Sequence, residues 1–449
     1  MKKTLALILA VMMMVVTFAG CTQSPADTQE TAKPQTTPPD TGEQTEKPKK
    51  FSVWLLKNFS DESNQFLVDR SMQFGAENNL DVSVELVPYT EFSTKWTAAV
   101  ESGDVPDVTY MGYQEVGMFG SQGVLMDVSD VYEQIDKREK LYPSLKSAIS
   151  FDGKQYGIPF WTEPIVVHYR KDLLSAAGYN EAPKTWEEFR EIAKAVNNPS
   201  EGIVGCGLGY GKGNSDQEWV SRSIIWSYGG ALFSEDGKTS LANTPESVAA
   251  AQLMVDMFLV DKTVAAGSIN WDNSSNNTLY LSGQAAMIIN AGSVYNSLKT
   301  DDPELFEKTG IAKIPGGPAG SFLPGVCNNF AVFKDCKNPE EAKAYLLYMT
   351  EPASHAEWLE KGAPLTCPIY ESFQDQPLWA EDPVNKAFVE SVNDFVFLGY
   401  KASYTPAAGE VYNLRLVNDA FQRVLAENWT VQDAMDELKT KIEEIIAKY

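Results

Sequence analysis

Histidine and cysteine are scarce in this 449-residue chain, which has two of the first and five of the second. Neither His168 nor His355 sits in an H-E-x-x-H pattern, and no two cysteines form a C-x-x-C pair. The spacings that build zinc sites are therefore missing. Two histidines leave little for acid–base chemistry, and no G-x-S-x-G elbow is present. The glycine-rich GLGYGKG at 207–213 has Gly213 after Lys212, where a phosphate loop needs Ser or Thr, so it reads as a strand-to-loop turn. Positive charge is also short: 37 Lys and Arg face 61 Asp and Glu, a formal net charge of −24. That balance makes nucleic acid a poor partner. In so acidic a chain, carboxylate pairs alone do not identify a glycosidase. No internal repeat is visible. No cofactor and no metal site are expected; a weak calcium site in the polar loop NWDNSSNNT (270–278) is the one conceivable exception.

The first residues carry a targeting pattern. Lys2 and Lys3 precede an apolar run from Leu5 to Ala19, shorter than the ~20 residues that span a bilayer. The run ends in Phe18-Ala19-Gly20-Cys21, which resembles a bacterial lipobox. Residues 1–20 are read as a lipoprotein signal peptide and Cys21 as the lipidated residue, which would place the protein on the extracellular face of the cell membrane. An ordinary secretory signal with a chance cysteine is the alternative. Residues 21–50 are rich in Thr, Gln, Pro and charge, with no aromatic residue, and read as a disordered tether. Stable anchoring needs more than one acyl chain, a condition that a diacylated cysteine meets.

Beyond the tether the pattern is α/β. Phe51, Val53 and Leu55 alternate as in a strand, Ser60 and Asp61 open a helix to about Asn78, and Val82, Val84 and Leu86 alternate again. Phe92, Trp96, Ala99 and Val100 then share a helix face, and 104–111 reads as a turn and buried strand. This order argues for a mostly parallel sheet covered by helices. Later helices are announced by a capping box at Thr185 and Glu188, by Asn338-Pro339, and by Thr430 before the stripe Val431, Ala434, Met435, Leu438, Ile442 and Ile445. Among Cys327, Cys336 and Cys367, a disulfide and buried free thiols both remain open.

Four segments in order carry a family resemblance: FSTKWTAAVESGDVPDV (92–108), DGKQYGIPFWTEPIVVHYRKDLLSAAGYNEAPKTWEEF (152–189), YLSGQAAMIIN (280–290) and VQDAMDEL (431–438). The chain resembles the extracellular solute-binding proteins of ABC importers, in the maltose-binding-protein-like sugar group. That resemblance implies a periplasmic-binding-protein-like fold, two α/β lobes joined by a hinge with the ligand cleft between them. Lobe 1 would comprise 51–161 and 326–363, and lobe 2 would comprise 162–325 and 364–449.

The resemblance also implies site residues. Trp161 and Glu163, two apart on a strand, would face the cleft together. Trp219 would stack on sugar and Gln217 would supply a polar contact. Asn58 falls at the first-loop contact, and Tyr113 and Gln114 in the loop after the Pro-Asp turn. Ser293 and Tyr295 stand where the family has tryptophans; Tyr412 and Arg415 open the last long helical region. Catalytic residues are not expected. His168 reads as a core histidine. The implied function is a monomeric, lipid-anchored, non-enzymatic receptor that captures a carbohydrate and delivers it to the permease subunits of an ABC transporter. A secreted carbohydrate-active hydrolase is one alternative. A binder of a non-sugar solute, such as a polyol phosphate, a peptide or a metal chelate, is another.

Overall fold

The computed structural model describes residues 47–58 and 60–449. The leader, Cys21 and nearly all of the tether lie outside the described residues. Strand β1 (Lys49–Leu56) begins two residues inside the segment read as tether. It alternates as expected, burying Phe51, Val53 and Leu55 to 1%, 0% and 1% exposure. Helix α1 (Asp61–Glu77) is capped by Ser60, whose side chain accepts from the Ser63 amide. Then come β2 (Leu80–Val87), α2 (Tyr89–Ser102), β3 (Val108–Gly112) and α3 (Tyr113–Ser121). Phe92, Trp96 and Ala99 form the buried face of α2, as their spacing predicts.

The chain later contributes β4 (Ile158–Thr162), β5 (Val166–Arg170), β6 (Val204–Gly207), β7 (Ala285–Asn290), β8 (Thr309–Ala312) and β9 (Cys327–Ala331). These strands form two separate sheets, with strand orders β2-β1-β3-β9-β4 and β8-β5-β7-β6. Pairing is parallel across β2, β1 and β3, but β9 runs antiparallel to both β3 and β4. In the second sheet only β6 and β7 are parallel. The expectation of a mostly parallel sheet thus holds for the βαβ start alone. Of the two remaining strands, β4 precedes the crossing and keeps the direction of β3, whereas β9 comes back from the other lobe, and a returning strand need not obey the crossover rule.

Residues 163–165 carry the chain from the first sheet to the second. The Glu163 amide donates to Val326 O at 3.0 Å, so this link is tied to the segment that returns. Leu323–Pro324 also pairs with Phe395–Val396. The segment around Cys367, assigned above to lobe 2, hydrogen-bonds to β4 through Thr162 and Cys367 in both directions at 2.9 Å. Ile369 O accepts from the Tyr142 amide at 3.0 Å, which keeps this stretch against the first sheet's helices.

Four further helices matter for the site: α4 (Ser215–Ser227), α5 (Pro406–Asn413), α6 (Leu416–Glu427) and α7 (Val431–Ile446). The α7 stripe is buried throughout, and Thr430 caps it by accepting from Asp433 N. Thr185 likewise accepts from Glu188 N. Asn338 does not cap its helix; its amide nitrogen donates instead to Lys50 O at 2.8 Å and Asp107 Oδ1 at 3.0 Å. All four described cysteines are free and buried. His168 is fully buried, and burial holds its pKa down to about 3, so it is a neutral core residue. Among the described residues, no helix is long and apolar enough to cross a membrane, and no three His, Cys, Asp or Glu side chains cluster as metal ligands.

Candidate functional site

Strand direction alone locates a cleft. β1, β2 and β3 are parallel and end at Leu56, Val87 and Gly112. β4 runs the same way, being antiparallel to β9, and ends at Thr162. Asn58, Tyr89 at the start of α2, Tyr113 to Glu115 in the first turn of α3, and Glu163 therefore all follow strands that end at one edge of the first sheet. In the second sheet β6 and β7 end at Gly207 and Asn290, and Val166 at the start of β5 pairs with Asn290. A three-residue link thus joins the two carboxyl-end edges directly. Such edges are where open α/β sheets bind ligands.

Glu163 sits at the junction. Its Oε1 accepts from Trp161 Nε1 at 2.7 Å and from Asn328 Nδ2 at 3.0 Å, and Asn328 Oδ1 accepts from the Tyr110 hydroxyl at 2.8 Å. Both bonds fall on one oxygen, and Oε2 is outside this network. Burial raises the Glu163 pKa, and the Trp161 and Asn328 hydrogen bonds oppose that rise. Glu115, on α3, is also raised by burial. Its Oε2 folds back so closely over Gly112 that a Cβ there would lie 2.5 Å away.

Tyr89 shows how these groups converge. Its side chain is 60% exposed, yet after desolvation its phenol pKa is raised by Glu115, Tyr412 and Glu163 and lowered by Arg415. One phenol is therefore within electrostatic reach of groups from α3, from the interlobe link, from α5 and from the cap of α6. The Arg415 guanidinium lies 4.0 Å from the centre of the Tyr412 ring, with a backbone φ of 53°, and donates to Tyr412 O. A non-glycine residue in that region is uncommon and recurs at ligand sites. Gln114 donates to the Tyr113 hydroxyl at 3.1 Å.

The other expected contacts divide. Trp161 is only 3% exposed, stacked on Tyr110 at 5.7 Å and edge-on to Trp358 at 5.5 Å; its structural role is to hold Glu163. Asn58 leaves the correct edge, but its side chain bonds Ser60 N at 3.0 Å and Ser63 Oγ at 2.9 Å, closing the turn before α1. Gln217 is buried at 2% and donates to Ser221 at 3.1 Å. Trp219 is half-buried, with its indole nitrogen enclosed. Tyr113 is buried against Phe397 at 5.4 Å. Ser293 begins the helix Ser293–Asp301 just beyond the Asn290 edge, whereas Tyr295 packs on Phe306 at 4.8 Å.

Tyr89, Glu115, Asp216 and Asn290 were not among the expected contacts. Tyr89 could have been found, because it follows Pro88 directly after the β2 alternation. Asp216 opens α4, and Asn290 donates to it at 3.4 Å. Burial pushes the Asp216 pKa from 3.8 to about 6. A raised folded pKa means the native state holds the proton more tightly, so stability falls as pH rises from about 4 to about 6 and levels off above. Asp216→Asn is expected to flatten that part of a melting-temperature profile; an unchanged slope would remove Asp216 as its source.

Two α/β lobes meeting at their carboxyl-end edges, with carboxylates, amides and tyrosines between them, define a two-lobed solute binder. The chain belongs to the bacterial extracellular solute-binding protein family, whose model matches residues 58–356. The diacetylchitobiose binding protein DasA of Streptomyces coelicolor is 26% identical over 302 residues, covering 66% of this chain and 68% of its own. The maltodextrin-binding protein MdxE of Bacillus subtilis is 27% identical over 305 residues, covering 65% and 67%. Among solved structures, the cyclic α-maltosyl-1,6-maltose binding protein of Arthrobacter globiformis aligns with a TM-score of 0.76 at 21% identity, covering 90% of this chain and 100% of that one. The sugar-binding protein MalE of Xanthomonas citri aligns with a TM-score of 0.76 at 19% identity, covering 89% and 98%. At these identities the structural likeness speaks for the fold, the maltose-binding-protein-like two-lobed α/β architecture.

Proposed function

We propose that this protein is the receptor of an ABC importer, that it captures a sugar or oligosaccharide in the interlobe cleft, and that it delivers it to the membrane permease while tethered through lipidated Cys21. It is not an enzyme in this reading. The observation that carries the proposal is that the junction of the two carboxyl-end edges holds Glu163, anchored by Trp161 and Asn328, with Tyr89, Glu115, Tyr412 and Arg415 within electrostatic reach of one another. A sugar presents apolar C–H faces and many hydroxyls, and it needs flat rings plus fixed donors and acceptors. The relatives named for diacetylchitobiose and maltodextrin support the same ligand class.

Thermal melting against maltodextrins, chitooligosaccharides, peptides and metal chelates tests the ligand class. A ligand at about 100 times its Kd stabilises by about 2.7 kcal/mol. A shift with a glycan is expected; a shift only with a peptide or a chelate would overturn the assignment. Glu163→Gln keeps an acceptor for Trp161 and Asn328 but loses the charge. It is expected to weaken glycan binding by about 1.5–3 kcal/mol, the range for hydrogen bonds to charged groups, while the apo protein still melts cooperatively. Release of shorter products from the glycan, lost in Glu163→Gln, would instead establish a hydrolase.

A further inference from the structure

Two carboxylates stand at the interlobe junction without a cation. Glu163 Oε1 takes its hydrogen bonds from neutral groups, Trp161 Nε1 and Asn328 Nδ2. Glu115 is bonded to its own backbone amide. Among the described residues, no Lys or Arg forms an ion pair with either carboxylate. The two are linked by a short relay. The point where a Cβ of Gly112 would stand is 2.5 Å from Glu115 Oε2 and 3.8 Å from the Tyr110 hydroxyl. That hydroxyl donates to Asn328, and Asn328 donates to Glu163.

Positive charge in the same region is engaged elsewhere. The Arg415 guanidinium lies 4.0 Å from the centre of the Tyr412 ring and donates to Tyr412 O. Beside Glu115 is a cavity of about 560 Å³ with no Lys or Arg among its lining residues. Of the two carboxylates that line it, Glu410 is paired with Lys448, which leaves Glu115 alone.

A carboxylate taken out of water is costly unless a positive charge or several donors compensate it. A sugar hydroxyl brings one donor and no charge, whereas an ammonium brings three donors and the charge. Tyr89, 60% exposed and within electrostatic reach of both carboxylates, adds an open aromatic ring of the kind that attracts a cation.

We infer that the ligand is an amino sugar, and that its protonated amine lies between Glu115 and Glu163 against the Tyr89 ring. This rests on the sugar reading above and adds a charge requirement that selects among sugars of one linkage.

The test is calorimetric titration of the full chain at neutral pH with glucosamine, N-acetylglucosamine and glucose, with the β-1,4-linked disaccharide of each, and with maltose. Within each matched set only the substituent at C2 changes. The amine is expected to bind about tenfold or more tighter than its acetylated and hydroxyl counterparts. Salt screens charge, so that advantage is expected to shrink about threefold or more between about 50 mM and about 500 mM NaCl. Glu115→Gln and Glu163→Gln are each expected to bring it to within about threefold. Should either variant unfold, the wild-type salt series decides. Equal or tighter wild-type binding of a neutral sugar would overturn the inference and leave the sugar receptor standing. So would an amine advantage that is insensitive to salt, or one that survives both substitutions. Binding by no sugar in any set would overturn both.

Discussion

Trp161→Ala lowers stability by about 3–5 kcal/mol, the range for removing a large aromatic from a packed core. Trp161 is 3% exposed and touches three aromatic rings: Tyr110 stacked at 5.7 Å, Trp358 edge-on at 5.5 Å and Phe160 edge-on at 5.9 Å. Alanine leaves a cavity that these rings cannot close without moving β4. It also strips one of two donors from Glu163 Oε1, already raised in pKa by burial. Ligand binding therefore weakens as a consequence of lost positioning and lost stability together. Trp161→Phe separates the two: it keeps most of the packing, leaves Asn328 as the sole remaining donor to Glu163 Oε1 and is expected to cost about 1–2 kcal/mol, mostly the lost hydrogen bond to a carboxylate. Denaturant melts with and without glycan check this. An alanine variant that melts like the wild type but no longer binds would restore Trp161 as a surface that stacks on the ligand.

Glu218→Ala is the second large effect, again about 3–5 kcal/mol, the range for breaking a buried ion pair by removing one partner. Glu218 and Arg222 are both fully buried on α4. Arg222 Nε and Nη2 donate to Glu218 Oε1 at 3.1 and 2.8 Å, and Glu218 Oε2 accepts from the Asn418 amide on α6 at 3.1 Å. The pair thus joins α4 to α6, the helix that Arg415 precedes. Removing the carboxylate strands a guanidinium whose Nη1 already lacks a partner. The double variant Glu218→Leu/Arg222→Met is expected to recover much of the loss, because no charge remains buried. Equal melting of Glu218→Ala and the wild type would show the pair to be energetically idle. Arg222 also lies 5.6 Å from the Tyr412 ring, so the single variant should disturb the cleft as well.

Much of the candidate site was legible in order but not in role. The two-residue spacing of Trp161 and Glu163 predicts that they share a strand face. They do meet, but in a hydrogen bond to each other, with the tryptophan turned into the core. Periodicity gives the side of a strand and not whether a neighbouring helix covers it; here the Trp358 helix does. Asn58 and Gln217 failed as free contacts for a related reason. Short polar side chains at loop and helix starts bond locally when a backbone amide or a hydroxyl is within reach.

The local pattern by itself determined β1, α1, β2, α2 and β3, the buried stripes of α2 and α7 and the caps at Ser60, Thr185 and Thr430. Each follows from residues within a few positions of one another. Only the tertiary structure decided that β9 enters the first sheet antiparallel, that Asn338 ties Asp107 instead of capping, and that Tyr89, Glu115 and Arg415 share one space. Those depend on segments far apart in the sequence, brought together where the chain crosses between its lobes.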